Sequence, residues 1–233
     1  VAMGVSNIIT FDAHDPRVQN AIPLSGFESI MPTYQMLKAM CHTYDDLRID
    51  KHHMMVISPD EGALNRNIYY SSAMSVDMGM FYKRRDYTRV VNGRNPIIAH
   101  EYLGDSVEGK DVFVADDIIA SGDSILDLAY NLKKRKAKRV FAGATFAFFT
   151  SGLEAFDKAY ADGVIDHVFA TNLTYTPQAV LDRPWFSQAD MSKYMAFVIA
   201  TLNHDQSLSY LLNPWNRIEK LLTKYRAEHP HND

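Results

Sequence analysis

Residues 111–128 read DVFVADDIIASGDSILDL, and this stretch decides the fold. An apolar, strand-like run ends in two acids, a loop of small residues follows, and the chain then enters a helix. Backbone N–H groups of such a loop point at an anion and the helix dipole favours its charge, while neighbouring carboxylates can hold ribose hydroxyls or a magnesium ion. The simpler alternative is a capped helix, with Ser121 or Asp123 as the N-cap and the acids at a solvated strand end. Paired acids at the carboxyl end of a central strand favour the phosphate site, because ligands bind at that edge of open α/β sheets.

The rest of the chain repeats this alternation of short apolar runs and helix-length amphipathic segments. The alternation is typical of β-α-β units, so we predict an α/β fold with a mainly parallel sheet flanked by helices. The predicted strands are Asn7–Phe11, Met54–Ile57, Met78–Tyr82, Asp111–Val114, Arg139–Thr145 and His167–Ala170. The predicted helices are Pro32–His42, Gly62–Ser75, Ser124–Lys136, Gly152–Ala161, Ser192–Asn203 and Pro214–Glu228. Apolar residues at i, i+3, i+4 and i+7 give the third of these helices one face that we expect to be buried. They are Ile125, Leu128, Ala129 and Leu132.

The composition narrows the class of protein. With 47% hydrophobic and 22% charged residues in 233, the chain is typical of globular proteins rather than disordered or membrane ones. The single cysteine, Cys41, excludes an internal disulfide framework and suits a reducing cytoplasm. A formal charge of −4 supplies no global positive field, and no apolar run approaches the roughly 20 residues of a spanning helix. The basic run at 133–139, KKRKAKR, lies at the end of a predicted helix, where positive side chains interact favourably with the negative end of the helix dipole. We therefore predict neither nucleic acid nor a membrane as a partner.

The stretch from Lys83 to Asp105 differs from the rest of the chain. It contains KRRDYTRVVNGRN, which is polar and includes Gly and Asn. This composition predicts a long exposed loop followed by a short strand or hairpin around Ile97–Tyr102. Considered by charge alone, the loop is a solvated basic turn.

Six segments, in their order along the chain, resemble ribose-phosphate pyrophosphokinases, a family with a type I phosphoribosyltransferase-like fold. They are DAHDP at 12–16, SPDEG at 58–62, KRR at 83–85, ADDIIASGDS at 115–124, AKRVFAGATFAFF at 137–149 and VFATNLTYTP at 168–177. The resemblance implies an enzyme that converts ATP and ribose 5-phosphate into phosphoribosyl pyrophosphate and AMP with Mg²⁺. It also implies a cytoplasmic homo-oligomer.

The segment at 115–124 resembles the family's ribose-5-phosphate loop, in which the acids contact ribose hydroxyls and the small residues surround the 5-phosphate. The residues implied to bind ribose 5-phosphate are Asp116, Asp117, Ser121, Gly122, Asp123 and Ser124. The family's loop usually reads like DDIIDTGGT, and this chain departs from it twice. Ala120 stands where another Asp is usual, and Asp123 stands where a Gly is usual. Both departures are expected to weaken ribose-phosphate binding unless magnesium or the local backbone compensates.

Two further segments imply a site for metal and phosphate. SPDEGALNR resembles the pyrophosphokinase signature SPDxGG, which simple phosphoribosyltransferases do not normally carry and which implies that Asp60 contributes to a magnesium site. ITFDAHDP resembles a segment whose histidine, here His14, lies beside the ATP phosphates and the metal. From the residues alone, a lone His is more often structural, and Asp12 or Asp15 can simply cap a turn.

The loop that begins FYKRRDYTR resembles the family's flexible catalytic loop. The resemblance implies that Lys83 and Arg85 bind ATP and act in catalysis. Pyrophosphoryl transfer places the C1 hydroxyl of ribose 5-phosphate on the β-phosphorus of ATP, with AMP leaving. Negative charge develops on the transferred and leaving groups, which explains why two cations are needed there.

The resemblance covers nearly the whole chain but only the later part of the family's two-domain architecture. It implies that residues 1–22 end an N-terminal phosphoribosyltransferase-like domain and that 23–183 form the C-terminal domain carrying the ribose-phosphate loop. Residues 184–233 are then C-terminal helices and tail, and an upstream domain is expected to supply much of the adenine site. Two alternatives stay open, a phosphoribosyltransferase that modifies a base and a non-catalytic regulatory paralogue of the synthetase.

Overall fold

The computed structural model describes residues 1–85 and 97–230, with side chains described outside residues 83–100. The strands in chain order are β1 (Asn7–Phe11), β2 (Gly26–Ile30), β3 (Met54–Ser58), β4 (Asp77–Arg85), β5 (Ile97–Leu103), β6 (Asp111–Ile119), β7 (Arg139–Ala147), β8 (His167–Thr171) and β9 (Phe186–Ala189). The helices are α1 (Thr33–Thr43), α2 (Leu64–Met74), α3 (Asp123–Lys134), α4 (Glu154–Ala161), α5 (Gln178–Leu181), α6 (Ser192–Asn203), α7 (Ser209–Leu212) and α8 (Trp215–Glu228). Every described helix is too short or too polar to cross a lipid bilayer.

The main sheet confirms the predicted α/β class. Its seven strands lie in the order β5-β4-β3-β6-β7-β8-β9, and every neighbouring pair is parallel except β4 with β5. β6 lies in the middle and is longer than the sequence predicts, because its ladder with β7 continues to the pair Ile119 and Ala147. Asp116 and Asp117 therefore belong to the strand itself, near its carboxyl end, rather than following it.

Helices cover both faces of this sheet, as expected for a parallel sheet. Successive residues of β6 point to opposite faces, so Val112 packs with α3 and α4 while Phe113 packs with α1, α2 and α8. The predicted apolar face of α3 is buried, with Leu132 fully so. Two apolar layers thus hold β6 rigidly and fix the position of the acids near its end.

A small second sheet precedes the main one. β1 and β2 pair in parallel, joined through a short 3₁₀ helix at Pro16–Ala21. Its apolar residues pack against the C-terminal helices, where Ile30 contacts a cluster containing Tyr194 and Val198. Five short elements, of four to six residues each, were not predicted: β2, the 3₁₀ helix, β9, α5 and α7. β2 and β9 are less apolar than the equally short β1, β3 and β8, which were predicted, and the three helical elements are too short to show a period. The position of β1 matters most, because the residues that follow it reach the carboxyl end of β6.

Candidate active site

A cavity of about 880 Å³ opens at the carboxyl ends of β3 and β6. The chain that follows β1 forms one wall, the start of α2 forms a second, and the end of β6 forms the floor. The lining residues are His14, Asp15, Pro16, Arg17, Asp60, Glu61, Gly62, Ala63, Asn65, Arg66, Tyr82, Asp116, Asp117 and Ile118. The cavity thus lies where ligands bind in open α/β sheets.

A buried ion pair anchors this cavity. The Arg66 guanidinium donates to the Asp12 carboxylate through Nε, at 3.0 and 2.9 Å from its two oxygens, and through Nη2 at 2.9 Å. The Thr145 hydroxyl donates to Asp12 at 2.6 Å. Only 8% of the Arg66 side chain and 4% of the Asp12 side chain are exposed. Since both oxygens of Asp12 are occupied by protein donors, its carboxylate serves to hold Arg66.

Arg66 in turn faces the two acids of β6. Its Nη1 lies 3.5 Å from Asp116 and its Nη2 lies 3.6 Å from Asp117. Burial, together with the neighbouring Asp117 carboxylate, raises the pKa of Asp116 well above its ordinary value. Burial also acts to raise the pKa of Asp117, but its contacts with Asp116, His14 and Arg66 outweigh burial and lower that pKa. Asp117 is therefore the ionised member of the pair, and Asp116 is the member that more readily holds a proton.

His14 joins this cluster from the segment after β1. Its Nδ1 lies 2.7 Å from Asp117 Oδ2, across a sequence separation of 103 residues. The hydrogen bond to Asp117 and the charge of that carboxylate raise the pKa of His14. The His14 side chain lines the cavity and is 84% exposed, so the ring is accessible from solvent. Asp15, by contrast, caps the 3₁₀ helix by accepting from the Arg17 backbone N–H at 2.9 Å.

Asp60 lies across the same cavity, in the turn between β3 and α2. Its Oδ1 accepts from the Ala63 backbone N–H at 3.2 Å, and the Ser58 hydroxyl donates to its backbone carbonyl at 2.8 Å. These bonds hold the turn that brings Arg66 onto α2 and toward β6. In the part of the chain that the structure describes, no three His, Cys, Asp or Glu side chains are arranged to enclose a metal ion. A cation here would therefore rely on one or two carboxylates and on ligands from a substrate, which is the usual way in which Mg²⁺ is bound.

The small-residue loop lies between β6 and α3. Gly122 occupies the N-cap position of α3 with φ +94°, and α3 has no side-chain cap. Neither Ser121 nor Asp123 is the N-cap, so the capped-helix alternative is wrong in that respect. A Cβ at position 122 would collide with the ring of Phe156, which is fully buried. Both the backbone angle and this contact require glycine there.

Side chains of this loop interact with one another rather than with the cavity. The Ser121 hydroxyl donates to Asp123 Oδ2 at 2.9 Å. Ser121, Gly122, Asp123 and Ser124 are not part of the cavity wall, whereas Asp116 and Asp117 are. The loop begins two residues after Ile118, which closes the cavity on that side. The six residues predicted to contact ribose 5-phosphate thus divide into two acids in the cavity and four loop residues beside it.

Lys83 and Arg85 lie at the end of β4, paired with β5 in antiparallel register. Their side chains lie outside the described part of the structure. The neighbouring Tyr82 lines the cavity, so β4 passes beside it. Their predicted role stays a prediction.

Sequence reasoning assigned no role to Arg66 and only a turn-capping role to Asp12. The two residues are 54 positions apart, and no local pattern links them. One signal was available, because both residues lie close to a predicted site residue. Asp12 is two positions before His14, and Arg66 is six positions after Asp60. Arg66 lies in the first turn of α2, and an acidic turn precedes that helix. An arginine in such a position is a candidate for pairing with carboxylates at the end of a neighbouring strand.

Two relatives among curated proteins match nearly the whole chain. The ribose-phosphate pyrophosphokinase of Chromobacterium violaceum is 28% identical over 211 residues, which cover 90% of this chain and 59% of that protein. The ribose-phosphate pyrophosphokinase of Vibrio cholerae is 30% identical over 213 residues, covering 91% of this chain and 62% of that protein. This chain thus spans about 60% of the length of the curated relatives it matches.

A solved structure and a domain family both match the architecture described above. The crystal structure of phosphoribosylpyrophosphate synthetase from Mycobacterium smegmatis superposes with a TM-score of 0.70 at 19% identity, covering 88% of this chain and 61% of that one. This likeness confirms the predicted phosphoribosyltransferase-like fold. The phosphoribosyl transferase domain family matches residues 29–172, from β2 to just past β8. Since that match takes in more than half of the sequence, this chain belongs to the phosphoribosyl transferase domain family.

Proposed function

We propose that this chain is the later part of a ribose-phosphate pyrophosphokinase, which transfers the pyrophosphoryl group of ATP to ribose 5-phosphate. The C1 hydroxyl oxygen bonds to the β-phosphorus of ATP, the bond from that phosphorus to the oxygen bridging the α-phosphate breaks, and AMP leaves. The hydroxyl proton passes to solvent. The products are phosphoribosyl pyrophosphate and AMP. The relatives from Chromobacterium violaceum and Vibrio cholerae, which bear this enzyme name, support the proposal.

One geometric observation carries the proposal. His14, Asp60 and Asp117 belong to three separate motifs of the resemblance, and their side chains line a single cavity. His14 and Asp117 are in direct contact at 2.7 Å. If each residue had only a structural role of its own, the three motifs would not need to lie at the same cavity. A common site for a phosphorylated substrate does need all three motifs at that cavity.

The donor set suits a magnesium ion. Carboxylate oxygens are the ligands that Mg²⁺ prefers, and it commonly uses one or two of them together with substrate phosphates. His14 and Asp60 are the residues assigned to the metal and the ATP phosphates, and both line the cavity. When bound, Mg²⁺ would neutralise charge on the transferred phosphates. Asp116, His14 and Arg66 together keep the pKa of Asp117 low before any substrate arrives, with the Arg66 guanidinium at 3.6 Å.

The remaining residues have roles that follow from charge and position. Asp116 and Asp117 accept hydrogen bonds from the ribose hydroxyls, while the loop at 121–124 surrounds the 5-phosphate with backbone N–H groups. The start of α3 supports this second role. Its N-cap residue is Gly122, the Asp123 backbone N–H makes only a long hydrogen bond of 3.4 Å to the Ser121 hydroxyl, and the N-terminal end of a helix favours an anion. Lys83 and Arg85 stabilise the charge that develops on the transferred and leaving groups.

The activity as a whole requires more protein than this chain. The relatives are longer, and we propose that an upstream domain supplies much of the adenine site. In this proposal residues 1–22 complete that domain, 23–183 form the ribose-phosphate domain, and 184–233 pack across the boundary. We further propose a cytoplasmic homo-oligomer.

Release of AMP by the full-length protein tests the proposal. We expect AMP to form only when ATP, Mg²⁺ and ribose 5-phosphate are all present, at a rate at least a hundredfold above that with any one omitted. No AMP release under these conditions would refute the assignment. Release of pyrophosphate from phosphoribosyl pyrophosphate on addition of a nucleobase would instead support a phosphoribosyltransferase.

A second candidate function is a non-catalytic paralogue that binds phosphates and assembles with active subunits. The Ser121–Asp123 hydrogen bond favours it, because a carboxylate occupies the loop where the 5-phosphate would bind. Replacing Asp123 with Gly distinguishes the two. If Asp123→Gly creates ribose-5-phosphate-dependent AMP release that the parent protein lacks, the parent is the non-catalytic form.

A further inference from the structure

A second cavity, of about 580 Å³, lies on the far flank of the sheet. It is bounded by β9 and by α1, α6 and α8, and it shares no lining residue with the candidate active site. No role in the proposed reaction uses it. We call it the flank cavity.

The edge of the sheet leaves space for this cavity. β9 is the last strand of the sheet and only four residues long, so α1 and α6 meet it without a further strand between them. Ser187 and Gln188 of β9 reach the floor. The Thr43 hydroxyl at the end of α1 lies 3.2 Å from the Ser187 hydroxyl and closes the cavity at that side.

The flank cavity is rich in cations although the chain as a whole is acidic. Lys38 on α1, Lys193 on α6 and Arg217 on α8 converge on it, with His42 one turn beyond Lys38. Among the described residues that line it, the one carboxylate is that of Asp190. The formal charge of the whole chain is −4, so this excess of positive charge is local rather than general.

Asp190 carries one negative charge against the three cations, and neutral protein donors hold its carboxylate in place. Its Oδ1 accepts from the Asn172 side-chain amide at 2.9 Å and from the Ser192 backbone N–H at 2.9 Å. These bonds, more than the charge of Lys38, lower the pKa of Asp190. The carboxylate therefore serves mainly to fix the start of α6.

Aromatic rings hold two of the cations in place. The Arg217 guanidinium carbon lies 5.5 Å from the centre of the Tyr34 ring and 5.9 Å from that of Tyr194, and its Nη2 donates to the Leu211 carbonyl at 2.8 Å. The Lys193 ammonium lies 5.7 Å from the centre of the Phe197 ring. Cation–π contacts leave the cations charged and reduce the freedom they lose when an anion binds.

We propose that the flank cavity binds a small phosphate anion of the phosphate-ester or pyrophosphate class. Its volume is in the range of about 300–1,000 Å³ that is usual for small-molecule sites. Its concave shape suits a free small molecule, and three separate helices each contribute a cation to its lining. They are Lys38 on α1, Lys193 on α6 and Arg217 on α8.

Calorimetric titration with inorganic pyrophosphate, without divalent metal, tests this site. The full-length protein carrying Lys83→Ala and Arg85→Ala serves as background, because those changes remove the two cations assigned to the transferred phosphates. We expect this background to bind pyrophosphate, and we expect the added pair Lys38→Ala and Lys193→Ala to weaken the affinity at least tenfold. Pyrophosphate is used because it belongs to the proposed class and carries no base or sugar.

A matched control uses the pair Lys220→Ala and Lys224→Ala, two exposed lysines of α8 outside the cavity. It removes the same charge and should change the affinity by less than twofold. Absence of binding in the background, or equal weakening by both lysine pairs, would overturn the proposal. The assay involves no turnover, so failure of the proposed enzyme function leaves this result unaffected.

Discussion

Replacing Arg66 with Met should destabilise the protein severely. Arg66 is the buried cation among the described residues that faces Asp12, Asp116 and Asp117 together, at 2.9, 3.5 and 3.6 Å. Removing one partner of a buried pair leaves an uncompensated charge and costs about 3–5 kcal/mol. Here the cost should lie at the upper end, because three carboxylates lose their common partner. Asp12→Asn should cost less, about 1–3 kcal/mol, because Arg66 keeps two other carboxylates and position 12 can still accept from Thr145.

Urea unfolding followed by circular dichroism measures these free energies. Arg66→Met should also lower the thermal midpoint by about 10 °C in a chain of this size. The double variant Asp12→Asn/Arg66→Met should cost less than the sum of the two single variants, because the second change removes a charge that the first has stranded. We expect the difference to be at least about 2 kcal/mol.

Arg17→Met provides the matched control. Arg17 pairs with Asp15 on the wall of the same cavity, but 82% of its side chain is exposed. Solvent screens such a pair, so the unfolding free energy should stay within experimental error. If Arg66→Met is no more destabilising than Arg17→Met, or if the two single variants simply add, the buried pair does not anchor the site.

Three further predictions concern other parts of the site and fold. Asp117→Ala should abolish ribose 5-phosphate binding in calorimetry of the full-length protein, because the ionised acid of the β6 pair is lost. Gly122→Ala should lower the unfolding free energy by about 2–4 kcal/mol, because the new methyl group meets Phe156 and the backbone is held at φ +94°. Burial lowers the pKa of His167 from its ordinary value of 6.5 to about 4, so the unfolded chain binds a proton that the folded protein excludes. Stability should therefore fall by about 3 kcal/mol between pH 6.5 and pH 4 and level off below, and His167→Gln should remove this contribution.

Each of these predictions has an outcome that would contradict it. Unchanged affinity of Asp117→Ala would remove that residue from the ribose-phosphate site. Gly109→Ala shares a positive φ of +74° but meets no atom within 4 Å, so it should cost clearly less than Gly122→Ala. Equal losses would show that only the backbone angle matters. For His167, an unaltered difference in stability between pH 7 and pH 4 in His167→Gln would contradict the assigned cause.

Part of the candidate site was predictable because its signals are local. The order apolar strand, paired acids, small residues and helix within 111–128 is a contiguous pattern, and it predicted both the sheet and the position of Asp116 and Asp117 near a strand end. The pairing of Asp12 with Arg66 was not predictable in this way. Its two partners are 54 residues apart and meet only because β1 delivers Asp12 to the carboxyl end of the main sheet.

The sequence by itself determined the class of fold, the described strands other than β2 and β9, the helices longer than one or two turns, and the segments that carry the chemistry. Periodicity and local composition act over one turn or one strand, and the apolar alternation was strong enough to read. Only the tertiary structure decided which acids are free to act. Asp12, Asp15 and Asp117 look alike in sequence, yet one is buried against Arg66, one caps a 3₁₀ helix, and one stays ionised beside His14. The ionisation and availability of a carboxylate depend on the burial and the charges around it, which the folded chain brings together from distant positions.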